Sequence, residues 1–130
     1  MSATTAADWR QFREFSAVDL EQSFVLSWQV ESALLLIDID VLLTPEHPFY
    51  ERPRASEKSC IRPAIIEFPC CVALSAGDSA SGAVAEIAEG IGHGAIKGLQ
   101  RLVNGRYEIQ GDFGTVLVSA ERPLLKLRGP

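Results

Sequence analysis

Between Ser23 and Glu31 the even positions Phe24, Leu26, Trp28 and Val30 are apolar, while Ser23, Ser27, Gln29 and Glu31 are polar and Val25 is the exception. Period two marks a half-buried strand, because successive side chains leave a strand on opposite faces. The pattern predicts that Phe24, Leu26, Trp28 and Val30 point inward. Ala33, Leu35, Ile37, Ile39, Val41 and Leu43 continue the alternation on a wholly apolar face. Their neighbours Leu34, Leu36, Asp38, Asp40 and Leu42 are apolar at the ends and acidic in the middle. A turn between Glu31 and Ala33 makes the two segments a hairpin at the centre of a sheet.

Residues 44–58 read as a long loop, since Pro45, Pro48 and Pro53 each remove a backbone donor and fix φ. In residues 60–72 the alternating set Cys60, Ala64, Ile66, Phe68, Cys70 and Val72 shares a face, and Pro63 and Pro69 place this strand at an edge or at bulges. Residues 73–94 admit two readings. Asp78 can cap a helix carrying Ala80, Ala83, Val84, Ile87 and Ile91, or Gly82, Gly90, Gly92 and Gly94 can hold an irregular loop. A second short helix is expected over residues 8–15, capped by Asp8.

Asn104–Gly105 between strand-like flanks predicts a two-residue type I′ hairpin, with Leu102 facing Tyr107 and Arg101 facing Glu108. Residues 111–114 break the chain again, and residues 115–120 and 124–127 are the last strands. The expected fold is all-β: an antiparallel two-layer sandwich or flattened barrel of six to seven strands, with at most one or two short helices. One domain spans residues 1–130, and residues 1–7 are expected to be disordered.

Composition narrows the class. A chain of 130 residues is one ordinary domain, too short for a TIM barrel, a kinase or a two-domain enzyme. Its 47% hydrophobic content supplies a core without metals or disulfides. The net charge is −5, and residues 1–50 carry eight acids against two bases. Phosphate binding needs clustered Lys and Arg, so nucleic acid is a poor partner. An acidic face instead favours encounter with a cationic protein.

The N-terminal residues lack a basic start and an apolar stretch, and no segment is apolar enough to span a bilayer. Cys60, Cys70 and Cys71 form no Cys-x-x-Cys pair, which points to reduced, structural thiols in the cytoplasm.

Several motifs carry candidate chemistry. Residues 90–95 match a dinucleotide-binding fingerprint, but that chemistry needs a strand before it and a helix after it, and here a hairpin follows. Asp112-Phe113-Gly114 spells a kinase metal triplet without its catalytic loop, and reads as a turn. Asp38 and Asp40 point to one side of a strand, where paired carboxylates hold a cation, shift each other's pKa or stand solvated. His47 and His93 are the two histidines, too few for a His-rich metal site. Arg52, Arg54, Lys58 and Arg62 form a short basic stretch able to clamp an anion or to lie solvated. No Ser or Cys stands in a nucleophile elbow.

His47-Pro48-Phe49-Tyr50 after an apolar hairpin, then Gly94-Ala95-Ile96, then Gly111-Asp112-Phe113-Gly114 before a final strand, resembles small uncharacterised bacterial β-rich proteins. Some of those are immunity partners of polymorphic toxins. The resemblance implies a cytoplasmic antiparallel β domain without known catalysis, and transfers no residue's role. The expected function is therefore non-enzymatic binding of a basic protein partner through an acidic face, with no cofactor and with self-association left open. The candidate binding residues are Asp38, Asp40, His47 and Tyr50. The rival expectation is a small-ligand-binding β domain or small enzyme with a pocket near Asp38, Asp40 or His93.

Overall fold

The computed structural model describes residues 5–53, 55, 59–76 and 83–128. Among the described residues nine strands run in the order β1 (Thr5–Asp8), β2 (Val18–Glu31), β3 (Leu34–Leu43), β4 (Cys60–Phe68), β5 (Ala73–Ala76), β6 (Gly94–Leu102), β7 (Tyr107–Gly111), β8 (Gly114–Ser119) and β9 (Leu124–Leu127). One six-residue helix, α1 (Val84–Glu89), lies between β5 and β6. The protein is all-β and every strand pairing is antiparallel.

The strands form one open sheet in the order β5-β8-β7-β6-β2-β3-β4-β9, with β1 also pairing β6. This corrects the expected count of six to seven strands, and the continuous β6–β2 junction replaces two separate layers or a closed barrel. The two added strands, β1 and β5, have four residues each, too few to show periodicity. Of the N-terminal residues, Thr5–Asp8 form β1, while residues 1–4 lie outside the described residues.

The sheet is strongly coiled. β4 and β7 stand four strand spacings apart, about 19 Å on a flat sheet. Yet the rings of Phe68 on β4 and Tyr107 on β7 meet at 5.3 Å. The two halves thus face each other across one core that includes Leu35, Ile37, Ile39, Ile66, Ile109 and Val116. Ile87 and Ala88 of α1 join that core, which places the helix on the inner side of the sheet. Asp78, the expected cap, lies outside the described residues; α1 starts after Ala83. The helix expected over residues 8–15 is instead two 3-10 turns, Trp9–Gln11 and Arg13–Phe15, with Asp8 capping the first.

β3 alternates as expected, with every odd side chain buried. β2 does not. Its register against β3 shifts between Asp19 and Phe24 and again between Val25 and Ser27. The extra residues change the phase, so Val25 and Trp28 are buried while Phe24 and Leu26 stand 39% and 48% exposed. The Ser23 hydroxyl fills the first irregularity, donating to the Asp19 carbonyl at 2.9 Å and accepting from the Leu42 amide at 3.1 Å. That is why a serine sits fully buried there.

β4 lies between β3 and β9 rather than at an edge. The Pro63 carbonyl accepts from the Arg128 amide just past the end of β9. In an antiparallel strand a residue's nitrogen and carbonyl point the same way, so the missing donor also faces that ending ladder. The strand stops at Phe68; Cys70 takes a φ of 53° in the following turn, which exposes Cys70 and Val72 and buries Cys71. All three thiols are free.

The β6–β7 hairpin forms one residue out of the expected register. Arg101 faces Tyr107 and Gln100 faces Glu108, so the Arg101–Glu108 pair is replaced by a Gln100–Glu108 hydrogen bond of 2.6 Å. Leu102 closes the loop by donating to the Arg106 carbonyl, and Gly105 takes a φ of 88°. A left-handed glycine at the end of a three-residue loop accommodates the slip. Leu102 is buried outside the main core cluster, apart from Tyr107 and Ile109.

Candidate functional site

The outer face of β2, β3 and β4 is set by cross-strand register. Asp40 lies between Phe24 and Pro63, Asp38 between Ser27 and Ile65, Leu36 between Gln29 and Glu67, and Leu42 faces Ile61. α1 sits on the opposite side, so among the described residues no helix covers this face. Asp38 is partly neutralised: it accepts from the Ser27 hydroxyl at 2.9 Å and lies 3.7 Å from the Arg128 guanidinium. Lys126 likewise pairs with Glu67 at 2.8 Å. No third His, Cys, Asp or Glu joins Asp38 and Asp40 into a metal-binding set among the described residues.

The loop after β3 is wound by local hydrogen bonds. Thr44 anchors it through its amide and hydroxyl to the Ala17 carbonyl. The His47 amide then donates to Thr44, and the Tyr50 amide to the His47 carbonyl at 3.0 Å. Nδ1 of His47 accepts from the Phe49 amide at 3.0 Å, which requires that nitrogen to be unprotonated. Partial burial lowers the His47 pKa, in keeping with a neutral ring.

Between this loop and the ends of β4 and β9 lies a cavity of about 620 Å³, lined by Pro48, Phe49, Tyr50, Glu51, Arg62, Pro63, Leu127 and Arg128. It joins the outer face through two residues. Pro63 stands opposite Asp40, and Arg128 reaches Asp38. Tyr50 lines the cavity and His47 holds the turn that presents Phe49 and Tyr50, whereas Asp38 and Asp40 are outside the lining and adjoin it only through Arg128 and Pro63. Arg62 and Arg128 were not singled out together in the sequence, because residues 66 positions apart become neighbours only through the β4–β9 pairing.

The remaining motifs resolve locally. In residues 90–95 a helix precedes and a strand follows, the reverse of the dinucleotide-binding order. His93 is exposed, with its ring 6.1 Å from that of Phe24 and away from the cavity lining. Asp112 and Phe113 make the β7–β8 turn, where the Asp112 carboxylate accepts from the Ala95 amide at 3.1 Å. Of the basic stretch, Arg54 and Lys58 lie outside the described residues, and Arg62 pairs with Glu51 at 3.3 Å. Among the described residues no helix is long and apolar enough to cross a membrane.

Compared with known family models, curated proteins and solved structures, the chain finds no match in any of the three.

Proposed function

We propose that this chain is a non-enzymatic binding domain that docks a basic protein partner on the outer face of β2, β3 and β4. The observation that carries the reading is an uncovered sheet face with apolar side chains and an acidic surplus. Phe24, Leu26 and Ile61 are exposed on or beside it, and Leu36, Leu42 and Ile65 are half-buried. Glu31, Asp38, Asp40 and Glu67 outnumber Lys126 and Arg128 there. Apolar contacts supply affinity at such a surface, and the unbalanced acids select a cationic partner and speed its approach. Strands already fixed by their ladders lose little freedom on docking. The motif resemblance to small bacterial β-rich proteins, some of them immunity partners of toxins, suggests a cytoplasmic partner, a basic protein whose surface the domain masks.

The test is affinity capture on the immobilised chain, followed by association kinetics with the identified partner at two salt concentrations. The on-rate should fall with salt, and again when Asp38→Asn is combined with Asp40→Asn. Phe24→Ser should raise the off-rate. A salt-insensitive on-rate, unchanged in the double variant, would overturn the reading.

A further inference from the structure

We propose that the cavity between segment 48–51 and the end of β9 binds a small organic monoanion, a carboxylate carried on a flat or linear apolar body. Its volume of about 620 Å³ suits a small molecule, and Pro48, Phe49, Tyr50, Pro63 and Leu127 give it apolar walls. Phe49 is 66% exposed, so a bound apolar body would cover an aromatic surface that now faces water. The polar lining is Arg62, Arg128 and Glu51. Within the lining two guanidiniums stand against one carboxylate, and Asp38 lies beside Arg128 just outside it.

Among the described residues both arginines keep free donors. Arg62 gives one nitrogen to the Ile61 carbonyl at 2.8 Å and another to Glu51 at 3.3 Å. Arg128 meets Asp38 at 3.7 Å, beyond hydrogen-bond distance. A guanidinium has more N–H groups than these contacts use, and its fork matches a carboxylate. With Glu51 beside Arg62 and Asp38 beside Arg128, a monoanion is favoured over a phosphate dianion, which both carboxylates would repel. This inference is independent of the outer-face docking, since an isolated chain with no partner protein tests it.

Naphthoate and the neutral naphthylmethanol are the probes, titrated into the full chain by calorimetry and by amide shifts in NMR. Naphthoate should bind at one saturable site, with shifts centred on Phe49, Tyr50, Arg62 and Leu127, about tenfold or more tighter than the alcohol. Arg62→Gln combined with Arg128→Gln should abolish that preference while leaving alcohol binding in place. Phe49→Ala should weaken both ligands. Because Phe49 and Arg128 are surface side chains, an unchanged melt and amide spectrum will certify folding. No saturable naphthoate binding, equal affinity for the two probes, or a preference that survives the double variant would overturn the proposal.

Discussion

The indole N–H of Trp28 donates to the Gly92 carbonyl across 2.9 Å, tying the last third of β2 to the strap between α1 and β6. The Phe113 ring stands edge-on to the same indole at 5.2 Å, brought there by the β7–β8 turn. Gly111 makes that approach possible, because a Cβ there would collide with the Phe113 ring and the Ala95 carbonyl. Trp28 is thus a buried junction between three elements distant in sequence. Trp28→Ala should cost about 3–5 kcal/mol in urea unfolding. Trp28→Phe, which keeps an apolar ring but abandons the Gly92 carbonyl, should cost about 1–3 kcal/mol. A loss below about 1 kcal/mol for the alanine variant would contradict this packing role.

The β2–β3 turn offers a stabilising change. Ser32 and Ala33 carry φ of 49° and 64°, both left-handed, between the facing residues Glu31 and Leu34. A two-residue type I′ turn demands this of both positions, and Asn-Gly meets the demand far better than Ser-Ala. Ser32 and Ala33 are both exposed, although the Ala33 carbonyl accepts from the Cys71 amide at 2.7 Å. Ser32→Asn with Ala33→Gly should therefore raise stability by about 1 kcal/mol, read as a higher urea midpoint with an unchanged slope. A lower midpoint would show that the turn is held for another reason.

These two elements also mark what was legible in the sequence. The alternation of β3 is unbroken, so its buried face could be read directly from Leu35 to Leu43. β2 obeys the same physics but carries two register shifts, and a single extra residue moves every later side chain to the other face. Ser23, polar and yet buried, is the local trace of that irregularity. The β6–β7 turn shows a related failure: Asn-Gly located the hairpin, but a three-residue loop with Gly105 as its left-handed member shifted the pairing by one. The cavity was half legible. Tyr50 and His47 were visible as a loop motif beside Asp38 and Asp40, whereas Arg128 reaches Asp38 only because β9 returns to the edge of β4.

The three thiols should react in two classes. Cys70 is exposed in its left-handed turn, while Cys60 and Cys71 are buried. Burial pushes the Cys71 thiol pKa up, only partly opposed by a hydrogen bond with the Ala73 backbone. A thiol held in its protonated form is a poor nucleophile. An aromatic disulfide reagent at neutral pH should titrate one thiol rapidly in the native protein and three after denaturation. Cys70→Ser should remove the fast phase. A fast phase that survives this substitution would mean that Cys60 or Cys71 is accessible.

His47 provides the pH dependence. Its Nδ1 accepts from the Phe49 amide, so protonation removes the acceptor that shapes the turn over the cavity. Burial lowers its pKa below the ordinary value of about 6.5. With the folded pKa depressed, the unfolded chain takes up the proton first as pH falls. The stability that the neutral ring contributes is therefore complete above about pH 6.5 and is lost progressively as pH falls through the lowered folded value. His47→Asn separates this effect from that of the carboxylates, because an Asn side-chain oxygen can accept from the amide two residues on without titrating. Between neutral pH and about pH 5.5 the native protein should lose more stability in urea than His47→Asn, and its Phe49 amide shift should titrate while the variant's stays flat. Parallel stability profiles and a pH-insensitive Phe49 amide in the native protein would show that the His47 proton does not control this loop.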